Sequence, residues 1–280
     1  MSSLTATPTG RWPAHLALLV LGLATVFPLI WMVSAAFTPN DLIADKTVRF
    51  LPEHFTFSNY TLAASREPIW AWLWNSIVTS ALITVGKLVL SLPAGFAFAR
   101  FQFRGRDVMF WIVIATMTFP AVLAVIPTYI VVIRLQAFDT LGAMIIPSIP
   151  YVGFYVFYFR QAFRSLPMSM FEAARMDGAG VWREFWEIAV PNVLPSVAAL
   201  SVISFMGAWN IYLWAQLVLN DGAKKTLTTG IAMFAKIEGT DDMQGPLMAT
   251  SLLSIVPVLL LFLLAQRFMV DAFGSPGTDR

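Results

Sequence analysis

The feature that most constrains this chain is a series of long apolar runs that contain almost no charge. Hydrophobic residues make up 58% of its 280 residues and charged residues 12%, whereas soluble domains average about 45–50% and about 25%. A helix needs about 20 apolar residues to cross the roughly 30 Å core of a bilayer. Six runs reach that length: Leu16–Phe37, Ile69–Ala99, Val108–Ile133, Thr140–Phe159, one within Ile188–Asn220 that starts near Pro195, and one within Met243–Gln266. The chain is therefore predicted to be an integral membrane protein with six transmembrane helices.

The backbone chemistry of a membrane span selects the fold class. Peptide groups in lipid must be hydrogen-bonded internally, as they are in a helix. The strict alternation typical of membrane barrel strands is absent from the sequence. We predict an all-α, polytopic fold in which residues 1–280 form a single transmembrane domain. Polar segments at about 38–68 and 221–246 are expected on the outer side, and a loop at about 164–195 on the inner side.

Basic residues predict the orientation of the chain. Arg100, Arg104 and Arg106 directly follow the second predicted span, and basic residues beside spans favour the cytoplasmic side. An even number of spans places both termini on one side of the membrane. The first apolar run is interpreted as a retained span, because no small-residue cleavage site follows it. We therefore expect a multi-pass protein with both termini in the cytoplasm.

The residue types that catalysis and metal binding require are scarce. The sequence has no cysteine, and neither His15 nor His54 has companion ligands, so no zinc-type site is expected. The phosphate-binding pattern G-x-x-x-x-G-K-[ST] does not occur, which argues against nucleotide binding by this chain. The net charge of +2 is too small to suggest nucleic acid as a partner. We predict a chain that is not an enzyme and that holds neither metal nor cofactor.

The inner loop carries the most detailed local pattern. Pro167 suits a first helical turn, and Ser169 with Glu172 has the spacing of a capping box. Gly178 is expected to end this helix, because glycine takes positive φ without steric cost. A second amphipathic helix is predicted over 181–190, ended by Pro191. Periodicity alone supports two interpretations equally, a helix–turn–helix that receives another protein and an interfacial loop without a partner.

Residue spacing in this loop resembles a known family. Glu172-Ala173-Ala174 is followed after three intervening residues by Gly178, Ile188 follows after nine more intervening residues, and Pro191 lies three positions beyond Ile188. This pattern, between predicted spans four and five, resembles the EAA loop of ABC importer permeases. Trp74-Asn75-Ser76, the segment 94–100 and Trp209-Asn210 are similar to carbohydrate-type permeases of the maltose and glycerol-3-phosphate group.

The resemblance implies a function, a location and partners. The chain is expected to be the permease of a bacterial inner-membrane ABC importer with the type I permease fold. It would move a sugar or sugar-like solute into the cytoplasm, with sn-glycerol-3-phosphate or a polyol as the next substrate after a neutral mono- or oligosaccharide. The implied partners are a second permease chain, two ATPase subunits that bind ATP and Mg, an extracytoplasmic solute-binding protein and the solute itself.

Two sets of site residues follow from the resemblance and from residue chemistry. The set implied for ATPase coupling comprises Glu172, Ala173, Ala174, Arg175, Asp177 and Gly178. Aromatic faces and amides hold sugars, which makes Trp209, Asn210, Tyr212 and Trp214 candidates for the substrate pathway, although Trp and Tyr also anchor helices at membrane interfaces. In one continuous helix these four cannot all face one cavity. Tyr151, Tyr155 and Tyr158 form a weaker set.

Lys87 stands inside the second predicted span, where a charge is costly and usually faces the interior of a helix bundle. It meets an anionic solute in one interpretation, and it pairs with a carbonyl group or a partner subunit in the other. The alternative function is an ion-gradient-driven secondary transporter, which usually carries intramembrane acids. No Asp or Glu lies within a predicted span. A membrane-embedded enzyme or a structural scaffold has still less support.

Overall fold

The computed structural model describes residues 12–44, 52, 54–236 and 243–273 of the chain, and every regular element in these ranges is a helix. Three helices are long and apolar enough to cross a membrane without interruption, and three further pairs pass the same test as bent units. The predicted all-α membrane fold is confirmed, with six spans if each bent pair is one span. Both chain termini and parts of the two predicted outer segments lie outside the described residues.

The chain divides into two compact units, the first of which comprises Met1–Glu67 and Ile231–Leu253. Its helices are α1 (Trp12–Ala36), α2 (Asn40–Ala44) and α3 (Ser58–Arg66). The predicted outer segment 38–68 is thus partly helical. Asn59 of α3 is fully buried, and its Nδ2 donates to the carbonyl groups of Ala35, Ala36 and Thr38 at 3.2, 3.1 and 2.7 Å. The two N–H bonds of this amide are shared among three carbonyl groups at and just beyond the end of α1.

The second unit comprises Pro68–Gly230 and Ser254–Arg280. It begins with α4 (Ile69–Arg100), the longest helix of the described chain, which runs through Pro93. Shorter helices follow: α5 (Arg106–Thr118), α6 (Val125–Arg134), α7 (Leu141–Ser148), α8 (Gly153–Ser165), α9 (Met168–Met176), α10 (Val181–Asn192), α11 (Leu194–Trp209) and α12 (Leu213–Val218). Two helices, α13 (Leu227–Lys236) and α14 (Gln244–Phe273), contribute residues to both units.

Prolines lie at the bends of the first two of these helix pairs. The third predicted span bends by 91° between α5 and α6, where Pro120 precedes a short 3-10 turn at Ala121–Ala124. The fourth bends by 47° between α7 and α8, where Pro147 lies in the last turn of α7 and Pro150 follows it. Because proline removes a backbone donor and clashes with the preceding turn, a helix breaks or kinks where it occurs.

An aromatic core joins the long helix to the inner loop. Phe96 of α4 packs with Phe163 of α8, Phe171 of α9 and Phe185 of α10 in a single buried cluster. The ring centroids of Phe96 and Phe185 lie 5.2 Å apart. Residues of α4, α8, α9 and α10 therefore share one close-packed core.

Candidate functional site

Three helix breaks surround one cavity of about 560 Å³ in the second unit. The first break lies between α5 and α6, the second between α7 and α8, and the third between α11 and α12. The wall consists of residues from 121–128, 147–151 and 207–214, together with Lys87 of α4. Irregular backbone at membrane depth is tolerated where it is buried in protein or lines a water-filled cavity. The convergence of three breaks on one cavity therefore marks this region as the candidate solute site.

The third break corrects an expectation about the fifth span. A continuous helix was expected across Trp209, Asn210 and Trp214, but α11 ends at Trp209 and α12 begins at Leu213. The nonhelical residues 210–212 change the direction of successive side chains. Asn210, Tyr212 and Trp214 therefore line the same cavity, which a regular helix would not have permitted.

Trp209 does not line this cavity, and neither do Tyr155 and Tyr158 of the weaker tyrosine set. The side chain of Trp209 is only 3% exposed, stacks on Phe205 and donates from Nε1 to Oγ of Ser254 at 3.2 Å. Its carbonyl oxygen accepts a hydrogen bond from Oγ1 of Thr228. These contacts assign Trp209 to the packing between α11, α13 and α14.

The cavity wall combines one cation with amide, hydroxyl and aromatic groups. Among the described residues that line it, Lys87 is the only charged one, and Asn210, Thr128 and Ser148 supply uncharged polar side chains. The rings of Tyr151, Tyr212 and Trp214 also line it. Nε1 of Trp214 donates to the Ala143 carbonyl at 3.0 Å, which fixes the position of the indole. Such a wall can bind hydroxyl groups by hydrogen bonds and apolar ring faces by stacking.

The position of Lys87 depends on its neighbour Gly86. A Cβ atom on Gly86 would lie 2.6 Å from Cδ1 of Ile149, so glycine allows α4 to approach the second break closely. The ammonium nitrogen of Lys87 lies 5.2 Å from the ring centroid of Tyr155, a cation–π contact. Among the described residues, Lys87 forms no ion pair with a carboxylate.

The predicted helix of the inner loop is α9, and Gly178 ends it as expected, with a φ of +79°. The Gly178 N–H donates to the Arg175 carbonyl at 3.0 Å, and the Ala179 N–H donates to the Ala174 carbonyl at 2.9 Å. This pair of bonds is the Schellman motif. The predicted capping box is wrong, because α9 begins at Met168 without a side-chain cap, and Ser169 lies within its first turn.

The implied coupling residues point in two directions. Glu172, Ala173 and Asp177 are exposed, whereas Ala174 is buried, as is Phe171 of the aromatic core. The outer face of α9 therefore offers two carboxylates and a small residue, while its inner face fixes the helix to the rest of the second unit.

Arg175 is held within the chain by a residue that the sequence did not single out. Its Nε lies 2.6 Å from Oε1 of Glu184 and its Nη2 lies 3.2 Å from Oε2, a two-point ion pair. The hydrogen bond that Arg175 donates to the Glu184 carboxylate is the main cause that raises the pKa of Arg175 above its usual value. The side chain of Glu184 is 3% exposed and that of Arg175 is 47% exposed. Arg175 thus orients α9 against α10.

Helix α10 differs from the expected regular helix. It includes a π-helical stretch at Glu184–Ala189 and continues through Pro191 to Asn192, so the prediction that Pro191 ends it is wrong. A π-helical turn changes which side chains face inward. Glu184 and Phe185 are both buried here. Two successive side chains of a regular α-helix face the same interior less readily. Pro195 lies in the first turn of α11, close to the expected start of the fifth span.

Arg100 connects the end of α4 to the inner loop. Its Nη2 donates to the carbonyl groups of Phe163 and Leu166 at 2.5 and 2.9 Å, and its guanidinium carbon lies 4.0 Å from the ring centroid of Phe171. The carbonyl groups at and just after the end of α8 have no donors from the helix itself. Arg100 supplies hydrogen bonds to two of them. The sequence identified Arg100 only as an orientation signal, since its contacts are with residues more than sixty positions away.

The second outer segment is anchored by residues that open α4. Nε1 of Trp72 donates to the Gly222 carbonyl at 2.6 Å, Nδ2 of Asn75 donates to the Ala223 carbonyl at 2.9 Å, and Oγ of Ser76 accepts from the Leu227 N–H at 2.8 Å. The segment predicted as a polar loop thus contains α13 and a fixed turn before it.

These features define a class of protein first. A membrane chain whose helices break around one partly polar cavity, and whose inner loop presents a short helix outward, is a transport subunit. Residues 91–270 match the family described as "Binding-protein-dependent transport system inner membrane component". The chain belongs to this family, the permeases of binding-protein-dependent ABC importers.

Relatives with assigned functions cover nearly the whole chain. It is 32% identical to the diacetylchitobiose uptake system permease NgcG of Streptomyces coelicolor, over 95% of this chain and 88% of that one. It is 31% identical to the sn-glycerol-3-phosphate transport system permease UgpE of Yersinia pestis, over 91% and 93%. Identity to the arabinooligosaccharides transport system permease AraQ of Halalkalibacterium halodurans is 30%, over 97% of each chain.

Solved structures confirm the fold. A chain of a bacterial ABC transporter involved in the import of the acidic polysaccharide alginate matches with a TM-score of 0.82 at 24% identity, over 94% of this chain and 99% of that one. A chain of the MetNI methionine ABC transporter matches with a TM-score of 0.54 at 15% identity, over 72% and 94%. The ABC importer permease fold is therefore shown.

Family membership also settles the coarse function. The protein is a multi-pass inner-membrane permease, and ATP hydrolysis resides in a partner ATPase and not in this chain. A binding-protein-dependent system works with a solute-binding protein as well. The alternative of an ion-gradient-driven transporter is not supported, because the family consists of ATP-driven systems.

Proposed function

We propose that this chain forms part of the translocation pathway through which a sugar or sugar-like solute enters the cytoplasm. The observation that carries the proposal is the convergence of three helix breaks on a cavity lined by Asn210, Tyr212, Trp214 and Lys87. Aromatic faces and neutral hydrogen-bonding groups suit a polyhydroxylated solute. A neutral mono- or oligosaccharide is the first substrate expected, and sn-glycerol-3-phosphate or a polyol is the second.

The functions of the relatives support this substrate class. The permeases NgcG and AraQ belong to uptake systems for diacetylchitobiose and arabinooligosaccharides, and UgpE belongs to one for sn-glycerol-3-phosphate. These solutes share hydroxyl groups on a small carbon framework. Their sizes and charges differ, so the class of solute transfers to this chain more readily than any one compound.

Helix α9 is the proposed contact with the ATPase. Its exposed Glu172 and Asp177 supply charge, Ala173 permits close approach, and Gly178 ends the helix with a fixed turn. Ala174 and Arg175 position the helix: Ala174 is buried, and Arg175 forms the ion pair with Glu184. Closure of the ATPase would displace α9 and, through the aromatic core, rotate α4 and α8 as rigid bodies.

The proposed assembly contains this chain, a second permease subunit, two ATPase subunits and the binding protein, with both termini of this chain in the cytoplasm. Arg100 supports the orientation, because it follows a span and contacts the loop that carries α9. Residues 1–280 are proposed to act as a single permease domain. The matched range 91–270 supports this, since it includes residues of both compact units.

The proposal is tested by co-purification and uptake. Tagged chain is extracted from membranes with detergent, and its companions are identified by mass spectrometry. An ATPase and a second permease are expected with the wild-type chain and with Gly180→Ala, and both are lost from a Glu172→Arg/Asp177→Arg variant. ATP-dependent uptake into proteoliposomes should follow the same pattern. A lone chain that transports without ATP would contradict the proposal.

A further inference from the structure

We propose that Lys87 is the anion-binding group of the cavity and that the transported solute carries a carboxylate or a phosphate. This inference rests on the proposed function, because it assumes that the cavity receives the solute. It goes further by selecting the anionic members of the proposed substrate class over the neutral sugar placed first above, and by naming the side chain that recognises the charge.

The first step concerns the cost of the charge. Lys87 lies well inside α4, a helix of 32 residues that spans Ile69–Arg100. A lysine at the centre of a membrane costs at least about 2.5 kcal/mol, and such groups face a cavity or pair with an opposite charge. Lys87 lines the cavity and is partly exposed, so a molecule that enters can reach its side chain.

The second step concerns compensation of that charge within the protein. The cation–π contact with Tyr155 has a distance of 5.2 Å to the ring centroid, and such contacts contribute about 0.5–2 kcal/mol. No carboxylate joins it, because the residues that line the cavity include no Asp or Glu and no described acid forms an ion pair with Lys87. The ammonium therefore keeps donor capacity for an anionic ligand.

The third step concerns the groups beside the cation. Asn210, Ser148 and Thr128 line the same wall and bind hydroxyl groups without adding charge, while Tyr151 and Trp214 provide ring faces. One cation with several neutral partners matches a solute that combines one anionic group with hydroxyl groups. An anionic group offsets the cost of a desolvated cation further than a neutral hydroxyl group does. Acidic sugars and polyol phosphates share the required chemistry.

The experiment uses the complete transporter in proteoliposomes and measures ATP-dependent uptake of labelled solutes. Glucuronate is compared with glucose, and sn-glycerol-3-phosphate with glycerol, so that the carboxylate and phosphate sources are separated. Diacetylchitobiose serves as a neutral oligosaccharide. Each solute is tested with the wild type, Lys87→Met, Lys87→Arg and, as a matched control outside the cavity, Lys224→Met.

We expect uptake of at least one anionic probe. Lys87→Met should lower that uptake about tenfold or more, the loss of one hydrogen bond to a charged group, whereas Lys87→Arg keeps most of it. Lys224→Met should leave it unchanged, and basal ATPase activity should report that each variant assembles.

Three outcomes overturn the inference. ATP-dependent uptake of neutral probes alone contradicts it while leaving the proposed function intact. Wild-type rates of anion uptake by Lys87→Met contradict the role of this side chain. An absence of ATP-dependent uptake for every probe, with no ATPase co-purified, contradicts the proposed function as well.

Discussion

Arg175 and Glu184 form a two-point ion pair that fixes the exposed helix α9 to α10, with Nε–Oε1 and Nη2–Oε2 distances of 2.6 and 3.2 Å. The carboxylate is buried and the guanidinium is about half exposed. A buried charge that loses its partner is costly, while a pair at the surface contributes little. The pair therefore works as a positioning device for α9.

Arg175→Met should destabilise the inner loop, because the Glu184 carboxylate stays buried without its partner. We expect a loss of about 1–3 kcal/mol in the free energy of unfolding, towards the lower end because Arg175 is partly exposed. Thermal unfolding of the purified protein in detergent measures the stability, and solute-stimulated ATPase activity of the assembled transporter measures coupling.

A double variant and a surface pair provide the controls. Arg175→Met/Glu184→Met should recover most of the lost stability, since neither charge remains buried. Glu187→Gln removes the exposed pair with Arg183 and should leave both measurements close to those of the wild type. Equal effects from the two ion pairs would contradict the positioning role.

Gly178→Ala should weaken the end of α9. The φ of Gly178 is +79° and a Cβ atom there would meet nothing within 4 Å, so the cost is purely conformational. A residue with Cβ in this region costs about 1–2 kcal/mol. The measurement is ATPase stimulation by solute together with thermal unfolding.

Gly180→Ala is the matched control for that variant. Gly180 is equally open, but its φ of −80° suits any residue. We expect no loss from this substitution. If Gly180→Ala impaired coupling as strongly as Gly178→Ala, the left-handed turn would not be the reason for the effect.

Tyr212→Ala and Trp209→Phe should separate solute contact from packing. Tyr212 lines the cavity, so its truncation should raise the apparent KM for uptake several-fold without lowering the unfolding temperature. Trp209→Phe removes the hydrogen bond to Ser254 and should cost about 1 kcal/mol of stability with the KM unchanged. Initial uptake rates over a range of solute concentrations give the KM. The opposite pattern would show that Trp209 contacts the solute.

Asp139 should give the stability of the segment around Asn220–Lys224 a defined dependence on pH. Its Oδ1 accepts from the N–H groups of Asp221 and Asn220, and its Oδ2 lies 3.0 Å from Nζ of Lys224. Two hydrogen bonds lower the pKa of Asp139 below its usual value of 3.8. The larger effect comes from the backbone N–H of Asp221 and the next from the side chain of Lys224. The same pair raises the pKa of Lys224 above 10.5.

The direction of these shifts fixes the pH window. A carboxylate with a lowered pKa contributes stability above its unfolded pKa, and that stability is lost as the pH falls through the folded value. Because the pKa of Lys224 is raised, its ammonium group stays protonated and keeps the ion pair with Asp139 until the pH exceeds about 10.5. Asp139→Asn should therefore lower the unfolding temperature between pH 5 and 9, with a difference that shrinks below about pH 4. A difference independent of pH would contradict this assignment.

Some of the local structure was predictable because it depends on neighbouring residues. Gly178 was expected to end α9, and Pro195 was expected to open the fifth span, since backbone preferences act over one or two residues. The break after Trp209 was not foreseen, because 210–212 contain neither Gly nor Pro. Likewise, the burial of Glu184 depends on a π-helical turn, and no short pattern in the sequence specifies it.

The sequence by itself determined the membrane setting, the helical class and the family. Bilayer thickness sets the length of an apolar run, and the EAA spacing is a short-range pattern along one loop. Only the tertiary structure decided which side chains share a site. Lys87 meets Asn210 and Tyr212 at a cavity made by three separate breaks, and Arg100 meets the carbonyl groups of Phe163 and Leu166. Such encounters depend on packing between segments far apart in the chain, which periodicity and composition do not encode.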